Sequence, residues 1–145
     1  MNDTYELYAI KYGSVTNRPM SENFIGGDPH DLSQNLDYFI WVATNSDRTY
    51  VIDTGFNHEV AADRGRTIDR LPREGLELLG IDAGKVEDVI ITHLHYDHAG
   101  TFGDFKNARM HLQDAEMEMA TGRCMCHAPL RMPYHVDDVC EMVRK

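Results

Sequence analysis

The sequence contains no segment that is suited to cross a membrane. Its apolar runs are all shorter than the ~18 residues that a spanning helix requires, and its mean hydropathy is −0.46. Residues 1–6 show no basic region followed by an apolar one, so we expect no signal peptide.

Cysteine is scarce, with three copies near the C-terminus of the chain. Cys124, Cys126 and Cys140 are too few for the closed disulfide framework of a small secreted domain. Without an export signal, a reducing cytoplasm is the expected location. The 145 residues suffice for one hydrophobic core, so we expect a single domain over residues 1–145.

Positive charge is also in short supply. Lys and Arg together number 14 against 24 Asp and Glu, which gives a formal net charge of −10. A field of this sign repels phosphate backbones and anionic lipids, so we expect neither nucleic acid nor a membrane as a partner. A small molecule is the expected partner, and the composition does not indicate an oligomeric state.

Five segments carry the β-favouring and apolar residues of strands. They are residues 5–12, 38–43, 50–52, 89–91 and 109–112. The nearly unbroken apolar run at 38–43 predicts a strand covered on both faces. Residues 16–35, which are rich in Gly, Pro, Asn and Asp, predict a long loop.

Capping and stop residues predict four helices, at 57–65, 72–80, 114–120 and 136–144. Asn57 is expected to cap the first helix. Pro72 begins the second, with Leu76 and Leu79 on one face and Gly80 at its end. Arginines at positions 64, 66, 70 and 73 alternate with acids and predict a solvated helix face. Strands that alternate with helices indicate the α/β class.

A dense group of metal-binding side chains follows the strand at 89–91 directly. Its ligand types are imidazole and carboxylate, in the order His93, His95, Asp97, His98. Two imidazoles spaced two residues apart leave an extended segment on the same side, so His93 and His95 can bind one ion. The adjacent Asp97 and His98 suit a second ion. This ligand set favours borderline divalent metals, Zn²⁺ first.

Asp53, Thr54 and Gly55 end the strand at 50–52. One interpretation is a turn, because Asp accepts backbone hydrogen bonds and Gly allows positive φ. The other is that the Asp53 carboxylate accepts a hydrogen bond from the far nitrogen of a ligating imidazole. The two interpretations are compatible and both stay open here.

Asp53-Thr54-Gly55 and the segment Thr-His-Leu-His-Tyr-Asp-His-Ala-Gly at 92–100 together resemble the metallo-β-lactamase-fold hydrolases. The aromatic Tyr96 and the Ala-Gly pair after the motif are most similar to the N-acyl-homoserine lactonase branch. The resemblance implies an αββα sandwich. This chain would supply its N-terminal half, a mixed sheet with helices packed on one face.

The same resemblance implies roles for the motif residues. His93 and His95 would bind one metal ion, and His98 a second together with Asp97, which is also expected to act in catalysis. Asp53 would accept a hydrogen bond from a ligating imidazole without binding the metal itself. Two Zn²⁺ ions, or other divalent transition metals, would share a hydroxide that attacks a lactone or ester carbonyl. The implied activity is hydrolysis of N-acyl homoserine lactones.

Family members complete the site with a third His, a bridging Asp and a last His, which residues 114–145 do not match. We therefore expect an N-terminal fragment. One sheet face should then be uncovered, including parts of the strands at 38–43 and 89–91. His111 is interpreted as a packed or surface histidine and the Cys124–His127 segment as a loop with free thiols, rather than as ligands, and His135 has no partner in the sequence.

Two alternative functions stay open. One is a thioester hydrolase like glyoxalase II, which has the same motif, and the other is an inert metal-binding half-domain. True β-lactamases generally lack the last histidine of the motif, so His98 argues against them. Flavodiiron proteins typically carry Glu at the position of His95, so His95 argues against that class. For the lactonase reading, Phe24 and Ile25 in the predicted loop are candidate contacts to an acyl chain.

Overall fold

The computed structural model describes residues 4–24, 26, 28, 30 and 32–145. In this part of the chain a six-stranded mixed sheet has the order β4-β1-β2-β3-β5-β6. The strands are β1 (Glu6–Arg18), β2 (Gln34–Thr44), β3 (Thr49–Ile52), β4 (Thr67–Ile68), β5 (Asp88–Ile90) and β6 (Arg109–His111). The helices are α1 (His58–Asp63), α2 (Pro72–Glu77), α3 (Asp114–Thr121), α4 (Ala128–Arg131) and α5 (Val136–Arg144).

The sheet combines antiparallel and parallel pairs. β1 pairs with β2 and β2 with β3 in antiparallel hairpins, whereas β5 lies parallel to both β3 and β6. The carboxyl ends of β3 and β5 therefore meet at one edge of the sheet, where ligands of α/β proteins gather. The predicted α/β class is confirmed, and the strand predicted at 89–91 is present as β5, in parallel pairing on both sides.

The loop predicted over residues 16–35 is too long. β1 continues to Arg18 and β2 begins at Gln34, because these two residues pair across the hairpin. A register shift between Val15 and Arg18 lets the strand absorb residues whose own preferences indicate a loop. A short 3₁₀ turn, Met20–Glu22, follows β1.

One face of the sheet is open, and β2 shows this best. Its residues alternate, with Ile40 and Val42 fully buried while Phe39 and Trp41 are 38% and 49% exposed. The prediction that this strand is covered on both faces is therefore wrong, because the helices and connecting segments bury only one side of the sheet. Ile90 in β5 is also 38% exposed. This agrees with the expectation of an uncovered face on these two strands.

The capping residues correctly predict the positions of α1 and α2, but one predicted buried contact is absent. The Asn57 side chain accepts a hydrogen bond from the Val60 amide at 2.9 Å, as expected of a cap. Leu76 is fully buried, but Leu79 is 37% exposed, so the two leucines do not share one buried face. In the part of the chain that the structure describes, no helix is long and apolar enough to cross a membrane.

The arginines at 64–73 do not form one solvated helix face. Gly65, with φ of +62°, follows α1, and the chain then pairs as β4 with β1 through Ile68 and Gly13. Arg64 and Arg66 consequently turn toward the histidine motif rather than toward solvent. Tertiary pairing here overrides the alternating charge pattern.

Candidate metal centre

Backbone hydrogen bonds join the end of β3 to the segment that follows β5. The Asp53 amide donates to the Ile90 carbonyl at 2.8 Å, and the Thr54 amide donates to the His98 carbonyl at 2.7 Å. The Gly100 amide donates to the Gly55 carbonyl at 2.6 Å. The motif is therefore held at the carboxyl edge of the sheet by the turn at 53–55.

Asp53 makes the central polar contacts of this edge. Its carboxylate is nearly inaccessible, at 3% residue exposure, and accepts from the Thr92 amide at 2.8 Å and the Thr92 hydroxyl at 2.9 Å. It also accepts from Nδ1 of His98 at 2.7 Å. Asp53 has φ of +65°, a conformation that is uncommon for residues other than glycine. The segment is thus a turn whose carboxylate also contacts a histidine ring.

Gly55 lets the turn pack closely against the core. Its φ is +69°, and a Cβ at this position would lie 2.8 Å from both the Tyr12 ring and the Pro72 side chain. A larger residue would push the turn away from β1, so the sequence here is constrained by both conformation and space.

The four residues that the sequence predicts as ligands lie together. Ring centroids of His93 and His95 are 4.4 Å apart, and those of His93 and His98 are 3.9 Å apart. Nε2 of His98 lies 3.6 Å from a carboxylate oxygen of Asp97. Because Asp53 holds Nδ1 of His98, Nε2 is the ring nitrogen left to face Asp97.

By donor chemistry this cluster fits a borderline divalent cation. Among the described residues, however, no three His, Cys, Asp or Glu side chains converge as a finished ligand set. The cluster therefore has the ligand types and their proximity, and the side chains would have to move closer together around a bound ion.

Burial and mutual charge act on the three rings. Burial lowers the pKa of His93, as does the neighbouring His98, and burial together with His93 lowers the pKa of His95. Burial also acts to lower the pKa of His98, but the hydrogen bond that His98 donates to Asp53 and the charge of Asp97 outweigh it, so the net pKa is raised. The lowered values favour neutral imidazole at His93 and His95, the form that binds metals.

Tyr12, which no sequence pattern indicates, and two arginines that the charge pattern assigns to a solvated face instead support the motif. The Tyr12 hydroxyl donates to the Asp97 carbonyl at 2.6 Å, and burial raises the pKa of Tyr12, which keeps it a donor. Nε of Arg66 donates to the Tyr96 hydroxyl at 3.1 Å, and the Arg64 guanidinium lies 4.0 Å above the Tyr96 ring. These partners come from β1 and from the segment after α1.

Glu116 and Tyr134 contact the motif from its other side. A Glu116 carboxylate oxygen accepts from the Leu94 amide at 2.8 Å and from the Tyr134 hydroxyl at 2.9 Å. The Tyr134 ring meets that of His95 edge-on, with centroids 4.9 Å apart. Burial and Glu116 raise the pKa of Tyr134 to about 12. No local sequence pattern identifies either residue as part of the site.

The remaining histidines and cysteines have other surroundings. Nε2 of His111 lies 2.7 Å from Asp88, and Nδ1 of His135 lies 3.4 Å from Asp138. Cys124 and Cys126 are exposed free thiols. These positions agree with the interpretation of packed or surface groups.

Phe24 lies beside an apolar cavity of about 670 Å³, and Ile25 lies outside the described residues. Phe24 is 60% exposed. The cavity is formed by the turn after β1 and the α4 segment, namely Ser21, Glu22, Asn23, Phe24, Ala128, Pro129, Leu130 and Met132.

The geometry and the family comparison agree. The profile of the Metallo-beta-lactamase superfamily matches residues 31–118, and this chain belongs to that superfamily. It is 29% identical over 127 residues to the N-acyl homoserine lactonase AttM of Rhizobium johnstonii, covering 79% of this chain and 48% of the relative. The AttM of Azorhizobium caulinodans is 31% identical with the same coverage.

Solved structures show the same fold. A quorum-quenching N-acyl homoserine lactone lactonase superposes with a TM-score of 0.69 at 24% identity, covering 92% of this chain and 56% of that one. An N-acyl homoserine lactone hydrolase, solved with N-hexanoyl-L-homoserine at its catalytic metal center, gives 0.68 at 22% identity and covers 92% and 58%. The chain thus spans about half the length of the relatives that it matches.

The buried contacts of Asp53 predict a large effect on stability. Asp53→Ala leaves the Thr92 amide and His98 Nδ1 without their acceptor, so we expect a loss of about 2–4 kcal/mol in the free energy of unfolding. Urea denaturation of the metal-free chain measures it. The matched control Asp47→Ala, at an exposed turn between β2 and β3, should cost less than ~0.5 kcal/mol. Equal losses in the two variants would contradict the central place given to Asp53.

Proposed function

We propose that this chain forms the metal-binding half of a hydrolase that opens lactone or ester bonds, with N-acyl homoserine lactones as the substrate class. The observation that carries the proposal is the gathering of three imidazoles and a carboxylate at the end of β5, with His98 fixed by Asp53. The lactonase relatives support the choice of substrate class.

In this proposal His93 and His95 hold one divalent ion, and Asp97 and His98 hold a second, with Zn²⁺ as the first choice of metal. Such ions supply a nucleophile from water at neutral pH and polarise the substrate carbonyl. Asp97 is proposed as a catalytic residue because, as a metal ligand, it would lie next to the reacting atoms.

The chain's own residues prepare this site before any ligand arrives. Asp53 accepts from Nδ1 of His98 and so fixes which ring nitrogen is free. Tyr12 holds the Asp97 backbone through its carbonyl. Both contacts hold donor groups in place, which lowers the cost of ordering them when an ion binds.

We further propose that residues 1–145 form a domain of this fold that is incomplete at its C-terminus, and that the remaining ligands come from sequence outside the chain. The support is the coverage of about half of the relatives' length and the open sheet face with Phe39 and Trp41.

The free, exposed thiols of Cys124, Cys126 and Cys140 support a cytoplasmic location.

The apolar cavity beside Phe24 suits the acyl chain of such a substrate. Met132 lines it, and Tyr134, two residues further along the chain, contacts the ring of His95. An aliphatic chain placed in the cavity would bury apolar surface.

The function is tested on the gene's full-length product by metal analysis and a lactone ring-opening assay. We expect bound zinc and lactone hydrolysis that a chelator abolishes. Asp97→Asn should lower the rate of hydrolysis by more than the ~10–100-fold typical of residues that only orient a ligand. Asp47→Asn, at the exposed β2–β3 turn, is the control and should keep full activity.

Three results would contradict the proposal. Preparations that neither contain nor take up a transition metal would remove its basis. Faster cleavage of glutathione thioesters than of lactones would favour the glyoxalase II-like alternative. Bound metal without hydrolysis of either substrate would favour the inert alternative.

Acyl-chain binding is tested with Phe24→Ser. Loss of this ring should raise KM for a decanoyl homoserine lactone by about 10-fold, as expected for ~1.4 kcal/mol of lost apolar burial. KM for a butyryl lactone should change less than ~2-fold, since a short chain reaches less apolar surface. Leu32→Ser, at an exposed position outside the cavity, is the control. Equal increases in KM for both lactones would exclude Phe24 as an acyl-chain contact.

A further inference from the structure

We infer that Glu116 is a positioning residue that sets the relative placement of His93 and His95 for metal binding. The inference rests on the proposed function, since it concerns the same metal site. Glu116 belongs to α3 and would act through the motif backbone and through Tyr134, without itself binding the ion.

The first contact fixes the backbone between the two histidines. Leu94 is fully buried, and its amide donates to Oε1 of Glu116 at 2.8 Å. The side chain of Leu94 therefore anchors the segment in the core while Glu116 holds its N–H. With the middle residue fixed at both ends, the imidazoles on either side emerge toward the same space.

The second contact fixes the ring of His95. The same Glu116 oxygen accepts from the Tyr134 hydroxyl at 2.9 Å, and the Tyr134 ring packs edge-on against that of His95 at 4.9 Å. The backbones of His95 and Tyr134 also pair as an isolated β-bridge. Glu116 thus joins the backbone on one side of His95 to the aromatic surface against its ring.

These contacts favour positioning over direct ligation. Both hydrogen bonds engage Oε1 of Glu116, and the donors are a backbone amide and a phenol rather than a metal-binding ring. A carboxylate nearby would also attract a cation by its charge alone. Substitution by glutamine separates these effects, because its amide oxygen accepts the same two hydrogen bonds without the charge.

The experiment is a Co²⁺ titration of the purified chain, followed by the visible absorption of the bound ion, which reports ligand geometry. Glu116→Ala should raise the Co²⁺ dissociation constant by about 10–100-fold, in the range for residues that orient ligands, and should change the absorption band. Glu116→Gln should stay within ~3-fold of the unmodified chain and keep its band. Glu118→Ala, an exposed carboxylate on the same helix, should change neither.

Tyr134→Phe removes a single hydroxyl and keeps the ring against His95, so it should fold even if Glu116→Ala does not. It should weaken Co²⁺ binding by at least ~3-fold because the ring loses its tie to Glu116. Thermal unfolding of each metal-free variant establishes which of them are folded.

The outcomes separate the two proposals. If neither the unmodified chain nor the gene's full-length product binds Co²⁺, the proposed function and this inference both fail. If only the full-length product binds it, the same variants are compared in that product. If Co²⁺ binds and both Glu116→Ala and Tyr134→Phe match the unmodified protein in affinity and absorption, the positioning role is wrong while the metal site stands. If Glu116→Gln loses as much as Glu116→Ala, charge rather than placement is responsible, and the inference is overturned.

Discussion

The site depends on one buried carboxylate, that of Asp53, at the junction of β3 and β5. It accepts from the backbone and hydroxyl of Thr92 and from the ring of His98, and its backbone amide bonds to Ile90. A non-glycine residue with positive φ is costly to place unless its surroundings fix it. Here the parallel pairing of β3 with β5 fixes the backbone around Asp53. The same pairing places the histidine segment, which follows β5, next to the Asp53 carboxylate.

Supports from distant parts of the chain then hold the segment in place. Tyr12 reaches it from β1, Arg66 from the segment between α1 and β4, and Glu116 from α3. Each bonds a backbone group or a tyrosine hydroxyl and leaves the imidazoles free. These contacts hold the motif backbone in place and leave the imidazoles available to bind a ligand, as a preorganised metal site requires.

Local chemistry explains how much the sequence could predict. The clustering of the four motif side chains, the strand before them and the Asn57 cap depend on residues close together in sequence, and each is present in the structure. Tyr12 and Asp97 are 85 positions apart and Glu116 and Leu94 are 22 apart, so no periodicity connects them. The exposed face of β2 could be expected only from the resemblance to a two-layer fold whose second half is absent, because an unbroken apolar run carries no alternation to reveal it.

We propose that the imidazoles of His93, His95 and His98, and no other described histidine, bind a divalent metal. This is tested by titration with Zn²⁺ while the imidazole nitrogens are followed by NMR. We expect the ring signals of His93, His95 and His98 to shift together, while those of His111 and His127 stay unchanged. Shifts confined to His127 and the neighbouring Cys124 and Cys126, or no shifts in the motif at saturating Zn²⁺, would contradict it.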